Sequence, residues 1–182
     1  MNFLEVDADV AYDLMKALEI PKYSLLGWSN GGITSLIISG KHPESIDTMI
    51  IFGAIAYMTP REIRVYDFVV DVRNWADHIR KPKEELYGFE YFQKKYTEDV
   101  EMVKKIYKEN DGNICREFLK TIEAETLILH GEKDLMVSKE HVPYLLQNIK
   151  NSELINFPNG AHDIHIKYPN EFNKHVKEFL KR

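Results

Sequence analysis

The sequence predicts an α/β protein, a parallel sheet with helices on both faces and a helical insertion in its middle. Three observations carry that reading. Short apolar runs alternate with segments of helical periodicity, a charged and aromatic stretch without strand character divides the chain, and polar loops rich in reactive side chains follow the apolar runs. The 182 residues are enough for one domain with a sizeable core.

Taken in order, Val10, Leu14, Ala17 and Leu18 fall at helical spacing, with Asp7 and Asp9 toward the favourable end of the dipole, and Pro21 stops that helix. Tyr23 to Gly27 reads as a short strand feeding directly into Gly27-Trp28-Ser29-Asn30-Gly31-Gly32. From Ile33 to Ser39 the chain is apolar almost all round, the mark of a buried helix, with Gly40 and Pro43 ending it. Thr48 to Ile55 is a continuous, isoleucine-rich run of the kind found in central parallel strands. Residues 59–120 carry many charges and aromatics and read as amphipathic helices. Thr126 to His130 is again a strand, Val142, Leu145, Leu146 and Ile149 mark a helix face, and Glu153 to Phe157 is a last strand. Phe172, Val176, Phe179 and Leu180 give a C-terminal helix. The expected division is thus 1–58 as the first part of the core, 59–120 as the helical insertion and 121–182 as the rest of the core.

Composition excludes several function classes. A formal net charge of −5, with basic residues interleaved among acids, lacks the clustered basic surface of a general nucleic-acid binder. Cys115 is the single cysteine, so neither an intrachain disulfide nor a cysteine-based metal cluster can form. Its neighbours Asn113-Ile114-Cys115-Arg116 make no glycine-flanked turn, so it reads as packing. The longest apolar run, Met49 to Met58, is too short to cross a bilayer. No membrane or nucleic-acid partner is expected; the lone cysteine fits an intracellular site, with cytoplasm and mitochondrion left undecided.

The chemistry concentrates in three loops. Gly27-Trp28-Ser29-Asn30-Gly31 matches G-x-S-x-G, a pattern that arises by chance about once in twenty chains of this length. A serine hydroxyl is a weak nucleophile and must be exposed on a sharp strand-to-helix turn beside a base. The flanking glycines are expected to avoid Cβ clashes across that turn. The same turn aims the backbone N–H of Asn30, at the positive end of the following helix, where a tetrahedral oxyanion would form. An acid should follow a later strand, and Gly131-Glu132-Lys133-Asp134 offers two; Asp134 is favoured over Glu132. Pro158-Asn159-Gly160-Ala161-His162 delivers a histidine just past the last strand, with His165 as its competitor and the better candidate for packing. Ser29, Asp134 and His162 in that chain order are the expected catalytic residues. A metal site at His162 and His165 lacks both an H-E-x-x-H pattern and a third ligand, so no metal is expected.

With these residues in hand, the chain resembles the valacyclovir hydrolases, or biphenyl-hydrolase-like proteins, of the α/β-hydrolase superfamily. The resemblance runs nearly end to end. It is carried by Asp13 to Leu18, Ser24 to Ser29, Gly31 to Thr34, Arg80-Lys81-Pro82, Leu86-Tyr87-Gly88, Asp111 to Arg116, His130 to Asp134, His162 and Glu171 to Lys174. It implies the α/β-hydrolase fold, hydrolysis of small esters and notably of α-amino acid esters, no cofactor, and a helical cap over the pocket. Two departures stand out. Family members carry an aspartate directly after the nucleophile, able to pair with a substrate ammonium; here Asn30 supplies an uncharged amide, with Trp28, Asp67 and Asp71 as further substrate-binding candidates. The family's domain also begins with strands ahead of the segment that opens this chain, so the chain reads as N-terminally shortened. A second oxyanion donor would then be missing. The strand from Tyr23 would also show an apolar edge open to self-association.

Overall fold

The computed structural model describes residues 2–182. It divides into two compact units, residues 2–57 with 115–182, and residues 58–114.

The first unit is built on four parallel strands, β1 (Tyr23–Trp28), β2 (Ile46–Phe52), β3 (Glu125–Gly131) and β4 (Ser152–Phe157), in the spatial order β1-β2-β3-β4. Parallel neighbours need crossovers, and the helices α1 (Phe3–Ala17) and α2 (Asn30–Lys41) flank β1 in sequence. β2 is two residues longer at its start and three shorter at its end than the apolar run suggests. Gly53, at φ +61°, turns the backbone out of the strand before Ala54 and Ile55.

α2 packs on one face of the sheet against β1 and β2, and all but four of its twelve residues are buried. Gly40 does not end it. The helix continues to Lys41, and a Cβ at Gly40 would stand 2.4 Å from the Cβ of Phe118, so the glycine serves close approach to the 3₁₀ turn Arg116–Thr121. That turn therefore packs with the sheet unit, whereas the sequence groups residues 115–120 with the insertion. The opposite face of the sheet carries Ile50, Phe52, Leu127, Leu129 and Phe157, covered by Phe172, Val176 and Phe179. Burying each of those three side chains stabilises the fold by roughly 1.5–3 kcal/mol.

α1 is capped by an Asn2–Glu5 capping box, earlier than its charge pattern suggests. Its apolar periodicity is genuine but does not face the core. Leu4 and Ala8 are buried, while Val6, Val10, Leu14 and Leu18 are exposed. α1 packs against α2.

The second unit holds three further helices, α3 (Pro60–Val69), α4 (Asp77–Tyr87) and α5 (Phe89–Glu109). Thr59 and Glu62 form a capping box at the start of α3. The interior combines buried Val72, Phe92, Val100, Val103 and Ile106 with partly buried aromatics. Trp75 meets Phe92 and Tyr96 edge-on, and its indole N–H donates to the Val69 carbonyl at 2.8 Å. Burial, reinforced by Asp99 and Glu62, pushes the Tyr66 hydroxyl up to about 12. Phe68, Tyr87, Phe89 and Tyr91 remain exposed. The sheet unit continues after β3 with α6 (His141–Asn148) and closes after β4 with α7 (Ile164–Lys167) and α8 (Pro169–Phe179). Among the described residues, no helix is long and apolar enough to cross a membrane.

Candidate active site

Because all four strands run the same way, their carboxyl ends share one rim of the sheet. β1 ends at Trp28, directly before Ser29, and β2 at Phe52, directly before Gly53, while β3 leads into the loop bearing Asp134 and β4 into the loop bearing His162.

Ser29 sits between β1 and α2 at φ 54° and ψ −122°, a combination an L-residue adopts only when its surroundings impose it, at a cost of about 1–3 kcal/mol. Two hydrogen bonds hold it there. Its N–H donates to the Phe52 carbonyl at 3.0 Å, and its carbonyl accepts from the Ile33 N–H at 3.0 Å. Glycine is required at Gly27, where a Cβ would lie 2.4 Å from the Gly31 carbonyl oxygen, and at Gly32, where it would lie 2.8 Å from the Cβ of Ala54. At Gly31 a Cβ would meet nothing within 4 Å. The second glycine of the motif is therefore not the one that spares a clash, as the pattern alone suggests; its neighbour is. Asn30 opens α2, so its N–H belongs to the unpaired first turn at the positive helix end.

The acid and histidine loops are joined to each other. Glu132 N–H donates to the Phe157 carbonyl at 3.1 Å and Lys133 N–H to the Gly160 carbonyl at 2.8 Å. Gly131 lies so close to Ala161 that a Cβ would stand 2.3 Å from its carbonyl oxygen. Asp134 is buried while Glu132 is exposed. One Asp134 oxygen accepts the N–H groups of Met136 at 2.8 Å and Val137 at 3.2 Å; the other lies 2.8 Å from Nδ1 of His162. A carboxylate only accepts, so Nδ1 carries the proton and Nε2 is left as the basic nitrogen of the neutral ring.

His165 has a different setting. It packs against Trp28, Phe52 and Phe172, its Nδ1 is buried without a hydrogen bond, and desolvation lowers its pKa. The geometry separates the two histidines, one polar and paired, the other in an aromatic nest. Cys115 is fully buried, and burial raises its thiol pKa well above the ordinary value, which leaves no thiolate for chemistry.

One contact ties the His162 loop to the Ser29 turn, and another sets it against the end of β2. The indole N–H of Trp28 donates to the His162 carbonyl at 2.8 Å, and a Cβ on Gly53 would stand 2.7 Å from Cε1 of the His162 ring. The Ser29 hydroxyl itself makes no hydrogen bond among the described residues. Neither Gly53 nor the direction of the Trp28 indole is foreseen in the sequence, although a glycine directly after an apolar strand is a signal for the former. Of the other substrate-binding candidates, Asp67 and Asp71 belong to the second unit. Both have local cationic partners, Lys104 for the first and Arg73, at 2.6–3.0 Å, for the second. The arginine holds the Asp71 carboxyl below its usual range.

No family model matches the chain. Among curated proteins it is 45% identical to serine hydrolase BPHL of the mouse and 43% identical to the human protein, over 98% of this chain and 62% of each relative. It thus spans less than two thirds of the length of these relatives. A 2-hydroxy-6-oxo-6-(2'-aminophenyl)hexa-2,4-dienoic acid hydrolase of Metapseudomonas resinovorans is 27% identical over 94% of this chain and 64% of that protein. Among solved structures, the deep-sea metagenome α/β hydrolase MGS-M2 superposes with a TM-score of 0.73 at 21% identity, over 96% of this chain and 70% of that one. The meta-cleavage product hydrolase CumD of Pseudomonas fluorescens gives the same TM-score and coverage at 24% identity. The chain has the α/β-hydrolase fold, and serine hydrolase BPHL is among the curated proteins it is similar to.

Proposed function

We propose that this chain carries the catalytic machinery of a serine hydrolase acting on small carboxylic esters, with α-amino acid esters the favoured class. The observation that carries the reading is the 2.8 Å Asp134–His162 contact at the same sheet rim as the strained Ser29 turn. That contact fixes the imidazole tautomer with Nε2 free to accept a proton, as a general base requires. In this reading Nε2 takes the Ser29 proton as the hydroxyl oxygen attacks the ester carbonyl carbon. The Asn30 N–H stabilises the oxyanion, and His162 returns the proton to the departing alcohol. Water then attacks the acyl-enzyme by the same steps, releasing the acid and restoring Ser29. Asp134 keeps the ring oriented and stabilises its cation. The Ser29–His162 hydrogen bond is of the kind that closes in the substrate complex rather than in the free enzyme.

The amino-ester preference is supported by the resemblance to the valacyclovir hydrolases and opposed by Asn30, which accepts a hydrogen bond without the charge that strengthens it. A broader carboxylesterase or a C–C bond hydrolase is the second reading, favoured by the hexadienoic acid hydrolase among the relatives. A fluorophosphonate probe tests the nucleophile. Labelling of the intact chain that disappears in Ser29→Ala is the expected result, and equal labelling of both proteins would refute it. Rates on an amino acid ester, its des-amino analogue and a vinylogous diketone then separate the substrate classes.

A further inference from the structure

We propose that Trp28 is a positioning residue that seats the His162 loop against the Ser29 turn, rather than a substrate-binding side chain. This inference rests on the Ser29–His162–Asp134 reading and adds a member to it. Trp28 immediately precedes Ser29, so its backbone shares the strained turn, while its side chain spans to a loop 134 residues later. The indole Nε1–H, its only polar side-chain atom, donates to the His162 main-chain carbonyl at 2.8 Å and is thereby committed. Its ring lies 5.5 Å from the His162 ring and 4.6 Å from that of His165.

Three elements then surround the base. Asp134 holds Nδ1, Trp28 holds the main chain, and Gly53 leaves the room a Cβ would take from Cε1. The contact with Asp134 fixes the tautomer and the ring's direction about one nitrogen. It does not fix how far the loop stands from the β1 end. The Trp28 hydrogen bond does, because it joins the nucleophile's own neighbour to the base's own carbonyl. A side chain so placed converts the position of one catalytic residue into a constraint on the other, which is where small displacements cost rate.

The experiment compares Trp28→Phe, which keeps an aromatic ring and removes the donor, with Leu26→Ala, an exposed position two residues earlier on the same strand. Two readouts are taken on the full chain at matched thermal stability: the rate of fluorophosphonate labelling, and the ¹H–¹⁵N signal of the His162 Nδ1–H. The second is observable whether or not the chain turns over. Expected for Trp28→Phe are a labelling rate lower by about three- to tenfold, the worth of one modest hydrogen bond, and a broadened, faster-exchanging Nδ1–H. Leu26→Ala should alter neither. An Nδ1–H signal unchanged in Trp28→Phe overturns the proposal whatever the labelling rate does, as does an equal effect of Leu26→Ala. Labelling that persists in Ser29→Ala instead overturns the underlying hydrolase reading, while the Nδ1–H signal still decides whether Trp28 positions the loop.

Discussion

The two flanks of the four-stranded sheet are held together in different ways. On the β3–β4 flank the polar loops saturate each other. Glu132 and Lys133 donate to Phe157 and Gly160, and both Asp134 oxygens are engaged, one by two backbone amides and one by His162. On the β1 flank, α1 presents Val6, Val10, Leu14 and Leu18 to solvent, Leu26 is exposed, and the Ser29 turn is held by backbone shape and two main-chain hydrogen bonds. The Asp134–His162 pair is thus secured by redundant polar contacts, and the Ser29 turn by steric fit. A buried carboxylate with several donors stays put because each lost contact would leave an unpaired buried charge. A strained turn stays put only while the glycines beside it leave no alternative.

The largest effect should come from the saturated flank. Asp134→Asn keeps the volume but removes the acceptor that sets the His162 tautomer, and should lower kcat by roughly 10⁴-fold with a small change in KM, read from steady-state ester hydrolysis. A loss under tenfold would mean that the contact is structural only. The next comparison is between flanks. Leu36→Ala, in the fully buried face of α2, should cost about 2–5 kcal/mol in urea unfolding, whereas Leu14→Ala on the exposed face of α1 should stay within about 0.5 kcal/mol. Equal costs would show that the α1 face is covered in solution. The smallest and sharpest test lies inside the motif. Gly32→Ala should destabilise by about 1–3 kcal/mol through its contact with Ala54, while Gly31→Ala should be neutral or stabilise by a few tenths of a kcal/mol.

Much of this arrangement is legible in residues close together in sequence. A glycine-flanked serine between an apolar run and a helical one, a carboxylate three residues past a strand-end glycine, and a histidine two residues past another glycine are local patterns. Strand and helix periodicity is local too, which is why the alternating order and the parallel sheet could be read without coordinates. The ends of elements were less legible. Nothing in the run Thr48 to Ile55 says that Gly53 adopts a positive φ, and nothing in Gly40 says that Phe118 rather than a helix end requires it.

What the sequence determined by itself is the class of fold, the order of its elements and the set of side chains capable of acid, base and nucleophilic chemistry, because propensity and periodicity act over a few residues. Only the tertiary structure decided which of two carboxylates meets a histidine, and which of two histidines is polar and which is packed. It also decided which face of α1 is buried and where the Trp28 indole points. Those outcomes depend on chain segments that become neighbours only when the sheet closes, and a hydrogen bond across 134 residues leaves no trace in the local pattern at either end.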